Sequence, residues 1–280
     1  MSVQARAKLN LTLDVLGRRP DGYHELCMVM QSVQLCDVLE IAPGEGRVSS
    51  NLGYLPTGEK NLAWAAARRF WEALGRPQPP LDIHIEKRIP VCAGMAGGSS
   101  DAAAVLRELN RREGDPFTLE QLMKIGGQVG SDVPYCVLGG TALARGRGEV
   151  LTALPPLPRC HVVLCKPDFS ISTPELFARA DAVKLRRRPD TAGVLAALEA
   201  GDLEGTARRM YNIFEDVLPP RQAARVTEIK HTLIECGALG AAMSGTGPTA
   251  FGLFAGEEQA RLAWAQLAET YQDVWLTETV

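Results

Sequence analysis

A chain of 280 residues is long enough for two domains of about 100–200 residues each, and it can bury a core without disulfides or a structural metal. Its 30 basic and 33 acidic residues leave a net charge of −3, which argues against a chain built to coat nucleic acid or an anionic membrane but permits a local anion site. With 46% hydrophobic and 22% charged residues the composition is that of a folded globular protein; its longest apolar run, residues 62–67, falls far short of the roughly 18 needed to span a membrane.

The N-terminus carries no apolar stretch of the kind that marks a secretory leader. Ala5–Asp14 alternates over its second half, with Leu9, Leu11 and Leu13 facing one way and Lys8, Asn10 and Thr12 the other; this predicts a half-buried strand with a polar row. Gly17–Gly22 is turn chemistry, and Glu25–Ile41 reads as further strand. Asn61 is placed to cap a helix over Leu62–Leu74 that Gly75 closes, with Leu62, Ala66, Phe70 and Leu74 on one face. Leu81–Ile89 alternates again and stops at Pro90; His84, between Asp82 and Glu86 on the polar side, is expected to be solvated. An alanine-rich helix is predicted from Ser99 or Ser100 to about Asn110, and an amphipathic one over Thr118–Ile125.

Leu154-Pro-Pro-Leu-Pro158 cannot continue a helix and is the boundary expected between domains 1–154 and 155–280. Beyond it a strand is predicted at Cys160–Cys165, with helical stretches between Pro174 and Ala207 and near Ala223–Cys236. A strand at Ala250–Phe254 and a helix near Glu257–Tyr271 complete the chain. No repeat of fixed period occurs, and helices and strands mix without a βαβα rhythm, so the fold class is α+β. The seven cysteines are odd in number and include no C-x-x-C pair. Three of them, Cys136, Cys160 and Cys165, lie in strand-like text, and the set is expected to be buried, reduced thiols of a cytoplasmic protein.

The strongest chemical signal is Pro90-Val-Cys-Ala-Gly94-Met-Ala-Gly97-Gly98-Ser99-Ser100-Asp101, a strand end, a loop with three glycines and a helix start at paired serines. Glycines let backbone N–H groups approach a ligand, and a helix N-terminus adds unpaired donors and partial positive charge, which suits a phosphate chain. The same text is also compatible with a plain turn and a helix capped by one serine, with Asp101 in the first turn against the dipole. It is neither a Walker loop, since no Gly-Lys dipeptide occurs, nor a G-x-G-x-x-G fingerprint. A second glycine-rich stretch, Met243–Phe254, is followed by strand text where a dinucleotide fold needs a helix; a tight loop packed near the first one is the better reading. Gly130-Ser-Asp-Val-Pro134 puts one carboxylate in a loop between apolar segments.

Lys8-Leu-Asn-Leu, the Pro90–Ala104 loop and Ser244-Gly-Thr-Gly-Pro resemble the three signature motifs of the GHMP kinases. Ala7–Leu11, Arg19-Pro-Asp-Gly-Tyr-His24, Lys87-Arg-Ile-Pro90, Gly97–Ala103, Gly130–Pro134, Gly146-Arg-Gly-Glu149 and Thr173-Pro-Glu-Leu-Phe177 are similar to one branch of that family. Its members phosphorylate the 2-hydroxyl of a cytidine diphosphate-linked methylerythritol in the non-mevalonate isoprenoid pathway. The Asp-Gly-Tyr-His run is the most specific of these; Met95 departs from the usual leucine, a swap that roughly conserves volume.

The resemblance implies a two-domain α+β kinase fold with its active site in the cleft between the domains. It implies ATP, with Mg²⁺, as donor and a cytidine diphosphate-linked small molecule as acceptor. No nucleic-acid or membrane partner and no dedicated protein metal site is implied, and oligomeric state is not legible. The family's catalytic lysine and aspartate fall at Lys8 and Asp132. Its ATP-phosphate contacts fall at Gly94, Ala96, Gly97, Gly98, Ser99 and Ser100, with Pro90 at the loop entry, one of the serines near Mg²⁺, and Asn61 and Lys87 beside the nucleotide. On the acceptor side, Tyr23 and Phe177 match the stacking aromatics, His24 the residue that reads the cytosine edge, and Asn10 and Thr173 the groove lining.

Overall fold

In the computed structural model, which describes residues 2–280, the chain divides into two compact units that interleave along the sequence. Unit 1 comprises the residues up to Ala7, Leu35–Val91 and Ala96–Gly139; unit 2 comprises Lys8–Gln34, Cys92–Met95 and Gly140–Val280. The boundary expected at residues 154/155 lies within unit 2.

The elements are, in chain order, β1 (Ser2–Arg18), β2 (His24–Pro43), β3 (Val48–Ser50), α1 (Leu62–Leu74), β4 (Leu81–Glu86), α2 (Gly97–Arg112), α3 (Leu119–Gly127) and α4 (Val133–Leu138). There follow β5 (Thr141–Gly146), β6 (Val150–Ala153), β7 (His161–Lys166), α5 (Thr173–Ala182), α6 (Thr191–Glu199), α7 (Leu203–Arg208) and β8 (Tyr211–Asn212). After a 3₁₀ turn at Ile213–Val217 come α8 (Pro220–Glu235), β9 (Gly240–Met243), β10 (Ala250–Phe254), α9 (Glu257–Ala268) and β11 (Asp273–Glu278). The mixture is α+β, as the sequence predicts.

In unit 1, β4 runs antiparallel to the second half of β2, from Val38↔Glu86 to Pro43↔Leu81, and β3 lies parallel to β4. Helices α1 to α4 pack on one another, α2 against both α1 and α4. Asn61 caps α1 as predicted: its Oδ1 accepts the Ala63 N–H at 2.9 Å, and Gly75 closes the helix at φ +69°. Thr118 and Gln121 form a reciprocal capping box on α3. The segment after Gly130, read as a loop, is the short helix α4. Pro134 falls in its first turn, where a missing N–H breaks no intrahelical bond.

In unit 2, β5 pairs antiparallel with the first half of β2, β6 with β5, and β8 runs parallel to β1. A four-stranded sheet has the order β11-β7-β10-β9, with α8 and α9 packed on it. The polar row of β1 is not solvated: Lys8 is 4% exposed, and Asn10 and Thr12 are fully buried. Partners inside the protein replace water there, among them Val29, whose N–H donates to Thr12 Oγ1 at 3.1 Å.

All seven cysteines are free thiols, but only Cys136, Cys160 and Cys165 are buried, and Cys136 lies on α4 rather than on a strand. Burial pushes the Cys160 thiol up to about 11 and Cys165 up to about 12, which disfavours the thiolate at both. His84 is exposed, its Nδ1 2.9 Å from Ser49 Oγ. Among the described residues no helix is long and apolar enough to cross a membrane.

Candidate functional site

The glycine loop reverses the chain between β4 and α2 with three residues at positive φ, Cys92 (54°), Gly94 (74°) and Ala96 (56°). Helix α2 then starts at Gly97, two residues before the predicted serines. Its N-cap is Ala96, whose side chain offers no acceptor, so neither serine is the cap and both lie inside the first turn. The first intrahelical bond runs from the Ser100 N–H to Ala96 O at 2.8 Å. Among the described residues, the N–H groups of Gly97, Gly98 and Ser99 therefore have neither an intrahelical acceptor nor a capping side chain.

The two serines differ. Ser100 is 1% exposed and its hydroxyl donates to Arg6 O at 2.6 Å, whereas Ser99 is half-buried. Ser99 Oγ lies 3.9 Å from where a Cβ on Gly130 would stand, which brings the start of α2 next to the segment that carries Asp132. Asp132 is half-buried at the N-cap position of α4 and makes no side-chain cap bond to that helix.

Lys87, expected beside the nucleotide, turns inward. Its ammonium is bonded to Asp37 and to Asp101 Oδ2 (2.8 Å), and the three side chains are between 0% and 5% exposed. Asp37 Oδ1 also accepts the N–H groups of Arg88 (2.6 Å) and Ile89 (2.8 Å). Asp101 is thus an ion-pair partner rather than an acidic residue against the helix dipole. Burial pushes its carboxyl up to about 7, against the opposing pull of Lys87. The sequence reading missed Asp37, although a signal was present: Asp37 is in phase with buried Leu39 and Ile41, as Lys87 is with Leu81, Ile83, Ile85 and Ile89. A charge on the apolar phase of a strand requires a buried partner.

In unit 2 the second glycine stretch does pack on the first loop. Ser244 Oγ donates to Gly94 O at 3.0 Å, and a Cβ on Gly94 would meet Ser244 O at 2.1 Å, so only glycine fits. Asn212 Nδ2, also unanticipated, fixes this stretch by donating to Met243 O and Gly245 O, both at 2.7 Å. Thr173 Oγ1 is 2.9 Å from Thr246 Oγ1, which joins the start of α5 to it. The Lys8 N–H donates to Met95 O at 3.2 Å, and the Lys8 ammonium donates to Asn10 Oδ1 at 2.7 Å. Two of the expected site residues of β1 are therefore joined by a hydrogen bond.

The side chains expected to form a base clamp do not meet as a simple aromatic pair. The His24 imidazole stacks on Phe177, with centroids 4.5 Å apart and planes 21° from parallel, and Phe214 meets Phe177 edge-on. His24 Nε2 is 2.8 Å from Asp181 Oδ1. Tyr23 is 54% exposed and carries the Arg147 guanidinium 4.7 Å from its ring centre, so it is not a core residue. Of the remaining candidates, Asn61 serves as the α1 cap and also donates from Nδ2 to Pro56 O at 2.8 Å; Pro90 lies in the loop as expected, whereas Gly98, expected in the loop, falls in the first turn of α2.

Residues 61–140 match the model of the GHMP kinases N terminal domain, and residues 194–273 match that of the GHMP kinases C terminal domain. The 4-diphosphocytidyl-2-C-methyl-D-erythritol kinase of Alkaliphilus metalliredigens is 43% identical over 100% of this chain and 96% of its own length. The enzyme of the same name from Syntrophomonas wolfei is 44% identical over 98% of this chain and 96% of its own length. A crystal structure of 4-(cytidine 5'-diphospho)-2C-methyl-D-erythritol kinase superposes with a TM-score of 0.82 at 33% identity, covering 100% of this chain and 99% of that one. The chain belongs to the GHMP kinase family, within its 4-diphosphocytidyl-2-C-methyl-D-erythritol kinase branch.

Proposed function

We propose that this kinase transfers the γ-phosphoryl group of ATP to the 2-hydroxyl of 4-diphosphocytidyl-2-C-methyl-D-erythritol, giving the 2-phosphate and ADP in the non-mevalonate isoprenoid pathway. The observation that carries this reading is the start of α2. Three consecutive N–H donors, on Gly97, Gly98 and Ser99, stand at the positive end of a 16-residue helix without an acceptor of their own. Phosphate oxygens complete such a set. The positive-φ turn at Gly94 and Ala96 delivers the chain to it, and Pro90 leads into that turn.

Phosphoryl transfer passes through a loose transition state, so positioning and charge neutralisation matter more than a strong base. Asp132 orients the acceptor hydroxyl and takes its proton late in the transfer. Lys8, oriented by its bond to Asn10 Oδ1, offsets negative charge on the transferring group. Mg²⁺ would neutralise the donor's phosphate oxygens. It usually takes only one or two protein ligands beside phosphate and water, and the half-buried Ser99 hydroxyl fits that role better than Ser100, which is enclosed.

On the acceptor side, Tyr23 and Phe177 supply stacking faces, which tolerate any base, and His24 supplies the edge contact that discriminates. With Nε2 engaged by Asp181, Nδ1 is the ring nitrogen left for the cytosine edge. Asn10 and Thr173 line the methylerythritol end, while Asn61 and Lys87 support the nucleotide through the elements they hold. A cytoplasmic setting is in keeping with seven unpaired thiols.

A coupled ADP-release assay over cytidyl-methylerythritol, mevalonate, homoserine and galactose tests the assignment. Turnover with the cytidyl substrate alone is expected; turnover with another acceptor, or with none, would overturn it.

A further inference from the structure

The geometry points to Asp37, Lys87 and Asp101 as a buried positioning trio that fixes the first turn of α2 for the phosphate donor. This inference rests on the functional reading above and extends it to residues that touch neither substrate.

The trio joins three pieces of unit 1. Asp37 on β2 holds the chain after β4 through the Arg88 and Ile89 N–H groups, and its other oxygen takes the Lys87 ammonium. The same ammonium donates to Asp101 Oδ2, one turn into α2. The backbone of Lys87 is clamped as well: Asn51 Oδ1 accepts its N–H at 2.9 Å, and Asn51 Nδ2 donates to its carbonyl at 3.2 Å. Helix α2 is therefore pinned within one turn of its open N–H donors.

The packing leaves no slack. A Cβ on Gly97 would stand 3.1 Å from Lys87 Nζ and 3.2 Å from Ile89 Cγ2, so the first residue of α2 rests directly on the ammonium. Stability alone does not explain three buried charges, because well-packed apolar residues of similar volume often serve as well or better. Nor is the site saturated, since Asp101 Oδ1 is buried without a hydrogen-bond partner among the described residues. What the trio supplies that apolar side chains cannot is direction. Two charge-assisted bonds from one ammonium set the entry angle of the helix whose N–H groups receive phosphate.

Two full-length variants test this. Lys87→Arg keeps the charge but cannot keep the fit against Gly97. The triple variant Asp37→Asn, Lys87→Met, Asp101→Asn removes every buried charge, while the amide introduced at position 37 retains an acceptor for the Arg88 and Ile89 N–H groups. Each is measured for thermal unfolding, for affinity toward a non-hydrolysable ATP analogue and toward cytidine 5'-diphosphate, and for KM of each substrate. Misplacing positioned donors is expected to weaken the ATP analogue by about 10- to 100-fold in both variants and to raise KM for ATP, with cytidine 5'-diphosphate affinity and acceptor KM unchanged. Wild-type affinity for the ATP analogue in either variant would overturn the inference, as would parallel loss of both ligands in the triple variant. Should Lys87→Arg lose its cooperative transition, the charge-free variant carries the test. Failure of the wild-type protein to bind the ATP analogue would instead sink the functional reading.

Discussion

Gly94→Ala is the substitution whose cost the structure fixes most fully. Gly94 sits at φ +74°, where an L-residue is disfavoured by about 1–2 kcal/mol. The added methyl would stand 2.1 Å from Ser244 O, far inside contact distance, so the Met243–Thr249 stretch must move away. Overpacking of that kind costs about 1–3 kcal/mol. The shift also breaks the hydrogen bond from Ser244 Oγ to Gly94 O at 3.0 Å, worth about 1 kcal/mol. The sum, about 3–6 kcal/mol, is a large part of a typical domain's stability. Urea unfolding followed by circular dichroism measures it. Gly98→Ala is the internal control: its methyl would meet only Leu62 Cδ1, at an ordinary 3.4 Å, and helical alanine favours the fold by about 0.5–1 kcal/mol. Gly98→Ala should therefore keep stability yet weaken the ATP analogue, because the methyl stands among the phosphate donors. A Gly94→Ala protein within about 1 kcal/mol of wild type would refute the packing argument.

Glu108 accepts two hydrogen bonds from Arg111 and one from Arg112, and the Arg111 bonds, aided by Arg112, outweigh burial and hold its carboxyl down at about 2. A pKa lowered on folding stabilises above the unfolded value near 4.5, and that stabilisation is lost as pH falls toward 2. Glu108→Gln should thus cost on the order of 2 kcal/mol at pH 7, allowing for water around Arg111, with the gap closing near pH 2; an equal cost at both would contradict the assignment. Tyr23→Ala and Phe177→Ala should each weaken cytidine 5'-diphosphate by about 5-fold or more and leave the ATP analogue alone, since a stacked base is worth about 1–3 kcal/mol. Equal losses of both ligands, read by calorimetry, would signal misfolding instead.

The sequence made those features legible whose cause is local. Asn61 before an amphipathic run and Gly75 after it locate α1 to the residue, because a cap is chemistry between near neighbours. The apposition of the two glycine-rich stretches was also readable, since strand rather than helix follows the second, which left a tight loop packed near the first as its better reading. Most of what failed depended on partners distant in the chain. Lys8, Asn10 and Thr12 alternate with leucines and read as a wetted row, but alternation reports a period, and what covers the polar face is set by β2 and by Asn10 itself. The serines read as caps because nothing in the text shows that Ala96 can enter the left-handed region and start α2 early. Asp37 and Lys87 carried their signal in strand phase, yet only the register of β2 against β4 brings them together.

The most direct test of the proposed chemistry is single-turnover phosphoryl transfer from ATP to 4-diphosphocytidyl-2-C-methyl-D-erythritol by Asp132→Asn, with ATP-analogue affinity measured on the same preparation. Loss of a positioned proton acceptor should slow transfer by about 100-fold or more while nucleotide affinity holds within about twofold. Transfer at the wild-type rate would remove Asp132 from the reaction and contradict the account.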